Sequence, residues 1–261
     1  MYQSRIPDKY RIGKTYISIT SPQNTINLIE EAVGKGISTY ICVSNPRTVV
    51  FANKHRDYRD VMNNSFMNLP DAEPIVWAAR LWGLKNVQRT MGPILFQEMI
   101  TNPTNGLKHF LLGDTQETLN KLKEKCEKEY KSNIAGTVSP PFCDLNEYDF
   151  EAYAKIINES GADIVWISLR APKQDFFAAK LFPMLDHKIC ISVGAAFRFF
   201  LGEYKMAPKI IKKLGLMGLY WGKKKQKFFP FLGGYLRDNV PYLFLLSQIP
   251  LRRILGKKHY E

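Results

Sequence analysis

Asp71, Ser44 with Asn45, Gly136 with Thr137, Pro172-Lys173-Gln174 and Ala196-Phe197-Arg198 all stand where an apolar run gives way to a polar loop or a new helix. Such positions can offer carboxylates, amides, hydroxyls and backbone N–H groups to a ligand without breaking a core. The densest stretch runs from Ala162 to Gly202 and reads ADIVWISLRAPKQDFFAAKLFPMLDHKICISVGAAFRFFLG. Two strand-like runs, ADIVWISL and KICISVGA, bracket an amphipathic helical segment, and each ends in small or polar residues. That is the layout of a nucleotide site, and equally of an ordinary βαβ unit with no ligand. On spacing alone Asp71, between Pro70 and the helical AEPIVWAARLWG, reads as a helix N-cap. Ser44 and Asn45 read as an Asn-Pro turn. Glu73 reads as a first-turn helix residue. Metal binding has little support, because there is no D-x-D triplet and His55, His109, His187 and His259 are scattered. Arg170, Lys173 and Arg198 are cations available to offset a diphosphate.

The elements that must hold these residues alternate. TYISIT (15–20) reads as a strand, Ser21 caps the following helix, and STYICVSN (38–45) is the next strand. PRTVVFANKHRDYRDVMNNS reads as one helix with Pro46 in its first turn, and FMNLPD as a short strand. Two helical stretches follow, Glu73 to Trp82 and Ile94 to Ile100. KHFLLGD is a strand, with Asp114 or Thr115 capping TQETLNKLKEKCEKEY. SNIAGTVSPPF, a helix through IINESG and the 162–202 segment complete an alternating α/β body. At 261 residues the chain can bury a full core. Cys42, Cys126, Cys143 and Cys190 lack C-x-x-C spacing and read as buried reduced thiols, which fits a cytoplasmic setting. MYQSRIPDKYRIGK has no apolar stretch of the signal-peptide kind.

The formal charge of +13 is concentrated at one end: residues 203–261 carry thirteen Lys or Arg against three acidic residues, a net of +10. Cations and aromatics interleave there, with Phe228-Phe229-Pro230-Phe231, Tyr235 and Pro241 to Leu246. The apolar stretch from Val240 to Leu251 is too short to span a bilayer, so a segment lying on an anionic leaflet fits it better. A boundary near Gly202 therefore separates body (1–202) from basic appendage (203–261). Nucleic-acid binding is the competing reading of such interleaving, and plain solvated surface the blandest.

The ordered series RAPKQD, SVGAAFRFFLG, MAPKI and LGLMGLYW resembles the WecG/TagA/CpsF glycosyltransferases, glycosyltransferase family 26, whose usual form is near GAPKQE, GVGGAFDFLAG, RAPKW and LGLEWLYR. Upstream, CVSNPRTVVFANK corresponds to the family's T-x-N stretch, LPDAEPIVWAARLWG to ADG-x-x-VWASRLLG, and HFLLGD with IAGTVSPPF to FLLGG with VGTHHGYF. The resemblance runs collinearly from Ile17 to Trp221. It implies a Rossmann-like α/β body with a parallel sheet, and Asp71 as the general base of an inverting transfer. Ser44 and Asn45 would contact the donor, while Gly136, Pro172, Lys173, Gln174, Ala196, Phe197 and Arg198 would border its nucleotide. No cofactor or metal is implied. The expected partners are a UDP-sugar donor, a polyprenyl-diphosphate-linked acceptor and an anionic membrane surface, with no nucleic acid and the oligomeric state open. The expected location is cytoplasmic, on the inner face of the plasma membrane.

The chain departs from the pattern at informative places. Arg198 stands where the family has Asp, Ala72 replaces Gly after Asp71, Pro93 falls in a G-x-D turn, and Met206 replaces Arg before Ala-Pro. Met217, Gly218 and Trp221 replace Glu, Trp and Arg of LGLEWLYR. The last change removes an expected phosphate-facing arginine, whose place Lys223, Lys224 and Lys225 could take. Arg252 and Arg253 would face phosphate or membrane. The alternatives are a catalytically degenerate lipid- or nucleic-acid-binding relative and a sugar-nucleotide hydrolase using Asp71 to activate water.

Overall fold

The computed structural model describes residues 7–102, 106–205, 208 and 228–260. A short antiparallel hairpin, β1 (Lys9–Ile12) and β2 (Thr15–Ser18), turns through Gly13, whose φ of 63° suits glycine. β1 went unread in the sequence although Lys9-Tyr10-Arg11-Ile12 alternates, because four residues beside Pro7 are too short a run to mark a strand. Then come α1 (Pro22–Gly34), β3 (Thr39–Ser44), α2 (Pro46–Lys54), α3 (Arg56–Asn64), β4 (Met67–Pro70), α4 (Glu73–Leu81), α5 (Gly92–Thr101) and β5 (Lys108–Gly113). The body continues with α6 (Gln116–Tyr130), β6 (Asn133–Val138), α7 (Phe150–Glu159), β7 (Ile164–Ser168), α8 (Lys173–Leu181), β8 (Ile189–Ser192) and α9 (Ala196–Phe200). Strands β3 to β8 form one parallel sheet in the order β4-β3-β8-β7-β5-β6. The expected alternating α/β body is the fold.

Period-two side-chain alternation explains why the sheet is covered on both faces. Ile41, Leu111, Ile164, Trp166, Ile189 and Ile191 point to one side, where α1, α5, α6 and α9 supply Ile29, Phe96, Leu122 and Phe197. Their sequence neighbours Cys42, Leu112, Val165, Ile167 and Cys190 point to the other, against Ile157 of α7 and Phe177 of α8. The four cysteines are free, and Cys42, Cys126 and Cys190 are buried. Helix starts follow their caps. Ser21 accepts the Asn24 amide, Thr115 the Thr118 amide, and Asn45 forms a capping box with Thr48.

The single helix expected over 46–65 is two. His55 is extended (φ −112°, ψ 114°), and the break redirects α3 so that Tyr58 and Met62 bury against Ala52 and Phe176.

The basic appendage contributes α10 (Phe228–Ile254), which contacts β1, α2 and α4. Tyr242, Leu246 and Ile249 join a core with Tyr10, Ile12, Val49 and Ile75, and the Tyr242 hydroxyl donates to Pro74 O at 2.7 Å. On its opposite side Val240, Leu243, Phe244, Leu251 and Ile254 are exposed, at 56–81%. Their spacing follows helical periodicity, so α10 carries a second apolar stripe facing outward. Among the described residues no helix is long and apolar enough to cross a membrane.

Candidate active site

A cavity of about 670 Å³ opens at the carboxyl ends of β3, β4, β5, β7 and β8. β5 leads outward to β6 whereas its neighbour β7 leads inward to β8, so the loops beyond them diverge and leave a crevice. Asp71, Asn45, Asp114, Arg170, Gln174 and Arg198 are among the residues that line it.

Asp71 follows β4 directly, and its own amide donates to Ser44 O at 2.9 Å, which fixes it to the end of β3. It is not the cap of the helix that follows it. Ala72 holds that position, and its side chain makes no capping bond. The Asp71 carboxylate reaches across instead and accepts the Gly92 amide of α5 at 3.0 Å. Burial pushes the carboxyl above its ordinary value, and the Gly92 amide and the Arg89 charge offset only part of that effect. A carboxylate with a raised proton affinity, one oxygen held by an amide and a face on a cavity, is suited to accept a proton from a hydroxyl. Glu73 is turned away and pairs with Arg80 at 3.1 Å.

The turn after β8 is clamped from both sides. Gly194, at φ 60°, donates its amide to Gln174 Oε1 at 3.0 Å and accepts the Ser168 hydroxyl at 2.5 Å. Gln174 is buried, so the glutamine of the APKQ stretch positions backbone rather than lying free. Gly113 is required by close approach, since a Cβ there would meet Ser168 O at 2.5 Å. Beside it Asp114 (φ 58°) receives Arg198 in a two-pronged pair, Nε to Oδ2 at 2.8 Å and Nη2 to Oδ1 at 2.6 Å. Burial raises the Asp114 carboxyl, yet the Arg198 and Thr115 hydrogen bonds outweigh it and hold the group below its ordinary value.

Other expected site residues lie elsewhere. Ser44 is fully buried and its hydroxyl bonds Asn68 Oδ1 at 2.6 Å, outside the cavity lining. Asn45 lines the cavity while Oδ1 caps α2. Gly136 sits within β6 against Phe110, whose ring a Cβ would meet at 2.5 Å, so packing alone demands glycine there. Pro172, after a cis peptide bond, precedes α8. Lys173 Nζ bonds Cys143 O and lies over the Phe142 and Tyr148 rings, away from the cavity. Ala196 and Phe197 are buried in the core. Arg253 donates to Leu81 O at 3.3 Å, and Arg252 lines a small cleft with Trp82. Lys223, Lys224 and Lys225 lie outside the described residues. Of Arg170, Lys173 and Arg198, then, Lys173 and Arg198 are engaged by the protein. Arg170 lines the cavity exposed; its carbonyl accepts the Gln174 amide, and its guanidinium has no hydrogen-bond partner among the described residues. Arg89, Asp114 and the Gly92 amide escaped sequence reasoning, because only folding brings residues 18 to 43 positions away up to Asp71 or its cavity. Among the described residues no three His, Cys, Asp or Glu side chains converge as metal ligands would.

Beneath this floor lies a second carboxyl. Asp175 is fully buried on α8, accepts the Tyr58 hydroxyl at 2.6 Å, and leaves Oδ1 without a partner. Burial pushes its carboxyl up to about 6, with the Tyr58 hydroxyl opposing. The folded state therefore favours the proton, so this contribution to stability is complete below the ordinary value of 3.8 and is lost as pH rises through about 6. Asp175→Asn is expected to flatten the pH dependence of unfolding between those values, removing a loss of roughly 3 kcal/mol at neutral pH. Denaturant unfolding across pH checks it, and an unchanged slope would assign the pH dependence elsewhere.

The chain is 29% identical over 194 residues, 74% of its own length and 72% of the relative's, to a Bacillus subtilis (strain 168) protein named N-acetylglucosaminyldiphosphoundecaprenol N-acetyl-beta-D-mannosaminyltransferase. A family model described as glycosyl transferase WecG/TagA/CpsF family matches residues 10–254, nearly all of the body together with α10. With Asp71 and the Gln174-clamped turn on one cavity inside that match, the chain belongs to the WecG/TagA/CpsF family of glycosyltransferases.

Proposed function

We propose that this glycosyltransferase moves a hexose or N-acetylhexosamine-type sugar from a UDP-sugar to a polyprenyl-diphosphate-linked saccharide, with inversion and without a metal, in surface polysaccharide synthesis. The observation that carries the reading is Asp71, a carboxylate of raised proton affinity held by Gly92 on the wall of the cavity. Its carboxylate takes the proton of the acceptor hydroxyl as that oxygen attacks the anomeric carbon from the face opposite the diphosphate. One C–O bond forms there, and the bond to the diphosphate oxygen breaks with its electron pair leaving on UDP. Among the described residues Arg170 is the cavity-lining cation whose guanidinium is not engaged by the protein, and it is available for the leaving group. The acceptor class follows the relative's name, and the outward stripe of α10 with Lys257 and Lys258 just beyond it suits an anionic membrane bearing such an acceptor.

The test is a thermal-unfolding screen of UDP-sugars followed by transfer to polyprenyl-diphosphate-linked N-acetylglucosamine. A bound donor at a hundred times its Kd should add about 2.7 kcal/mol of stability. No stabilisation by any UDP-sugar would overturn the donor reading, and sugar release at an undiminished rate without acceptor would make the protein a hydrolase. Transfer is expected to survive EDTA. Its loss on chelation, with recovery on adding magnesium or manganese, would reveal a metal requirement.

A further inference from the structure

We infer that Ser168 is a positioning residue for the donor: its hydroxyl fixes the peptide between Gly194 and Ala195, and so keeps a carbonyl oxygen from turning into the cavity that an anionic donor enters. This deepens the donor reading above and rests on it. Ser168 ends β7 at the cavity and is only 8% exposed, so it acts through the turn beside it rather than on a ligand directly. Gly194 leaves β8 at φ 60°, and among the described residues side chains take both of its backbone groups. Gln174 Oε1 accepts the Gly194 amide at 3.0 Å, which holds the Val193–Gly194 peptide. The Ser168 hydroxyl donates to the Gly194 carbonyl at 2.5 Å, which holds the next peptide. A carbonyl can only accept, so the hydroxyl hydrogen is committed to that bond.

The rest of the turn is secured without Ser168. β7 is held at its end by the pairing of Ser168 with Gly113 of β5, and β8 by the Val193 amide, which donates to Ile167 O at 3.0 Å. α9 beyond the turn is anchored by the burial of Ala196 and Phe197. What the hydroxyl alone sets is therefore the tilt of one peptide. That peptide is part of the wall, because Val193, Gly194 and Ala195 line the cavity that holds Asp71, and Ala195 is exposed there. Without the hydroxyl the Gly194 oxygen loses its partner. Glycine's broad conformational range then lets the peptide tilt until that oxygen finds water in the cavity. An oxygen turned that way repels the diphosphate of a UDP-sugar, and a wall moved by about 1 Å is enough to misplace a bound molecule.

The experiment measures UDP binding by calorimetry, and kcat with both KM values for transfer from the UDP-N-acetylhexosamine of highest turnover, in three variants. Ser168→Ala removes the hydroxyl, Ser168→Cys keeps a group of similar size that donates weakly, and Ser168→Thr keeps the hydroxyl. In the Ala and Cys variants the Kd for UDP and the KM for the donor should rise about tenfold, with kcat within about twofold and the acceptor KM unmoved. Ser168→Thr should bring both back near those of the unaltered chain. If Ser168→Ala does not fold, the contrast between Cys and Thr carries the test. Unchanged UDP binding and donor KM would overturn the inference. So would a Thr variant as impaired as Ala, or a loss shared equally by kcat and the acceptor KM together with earlier thermal unfolding, which would leave the hydroxyl a support of the fold alone. Failure of the unaltered chain to bind UDP would take the donor reading down as well, a result distinct from normal binding that the substitutions leave unmoved.

Discussion

Replacing Asp71 with Asn is expected to lower turnover on a lipid-linked acceptor by roughly 100-fold or more while leaving UDP binding near that of the unaltered chain. Asn keeps an oxygen for the Gly92 amide and the same volume, so the end of β4 and the start of α5 should hold their places. What it loses is the capacity to take a proton. Because burial raises the Asp71 carboxyl, the acid side of the kcat/KM profile should fall at a pH above the ordinary 3.8. Below that point the group is protonated and idle; above it, ionised and competent. The residual activity of Asp71→Asn should lack this limb. Near-normal turnover would remove Asp71 from the chemistry, and a matching loss of UDP affinity would give it a structural role instead.

A double substitution on α10, Phe244→Asp with Leu251→Asp, should weaken binding to anionic liposomes by about 100-fold or more, since each apolar side chain withdrawn from a lipid interface forfeits about 1.5–3 kcal/mol. Phe244 is 66% and Leu251 63% exposed, on the side away from Tyr242, Leu246 and Ile249, so the thermal unfolding of the protein should change little. Turnover on acceptor embedded in vesicles should fall, and turnover on a short-chain acceptor in free solution should not. High salt should weaken binding of the unaltered chain, because the attraction of Lys257 and Lys258 to the leaflet is screened. Undiminished liposome binding would leave the stripe without a membrane role. A change in mass in solution on substitution would show that a second copy of the chain covers it.

Where sequence-local physics governs, the chain was legible. Continuous short apolar runs in KHFLLG, DIVWIS and KICIS mark strands because a parallel sheet is covered on both faces and each strand buries both sets of its side chains. Ser21 and Thr115 mark helix starts because a cap satisfies amides two or three residues away. The break at His55 was not legible, since Arg56 to Asn64 has helical character either way and only burial of Tyr58 against Phe176 of α8 decides its direction. The same limit governed the site. Asn45, Asp71, Arg170, Gln174 and Arg198 come from motifs that line the cavity, but a strand order that places β8 between β3 and β7 decided which side chains meet there. Tertiary structure sent Ser44 to Asn68 and Lys173 to Cys143, and brought Asp71 to Gly92 and Asp114 to Arg198. A side chain's type sets which bonds it can make, and only the packing of distant strands sets which partners come within the 3 Å that those bonds require.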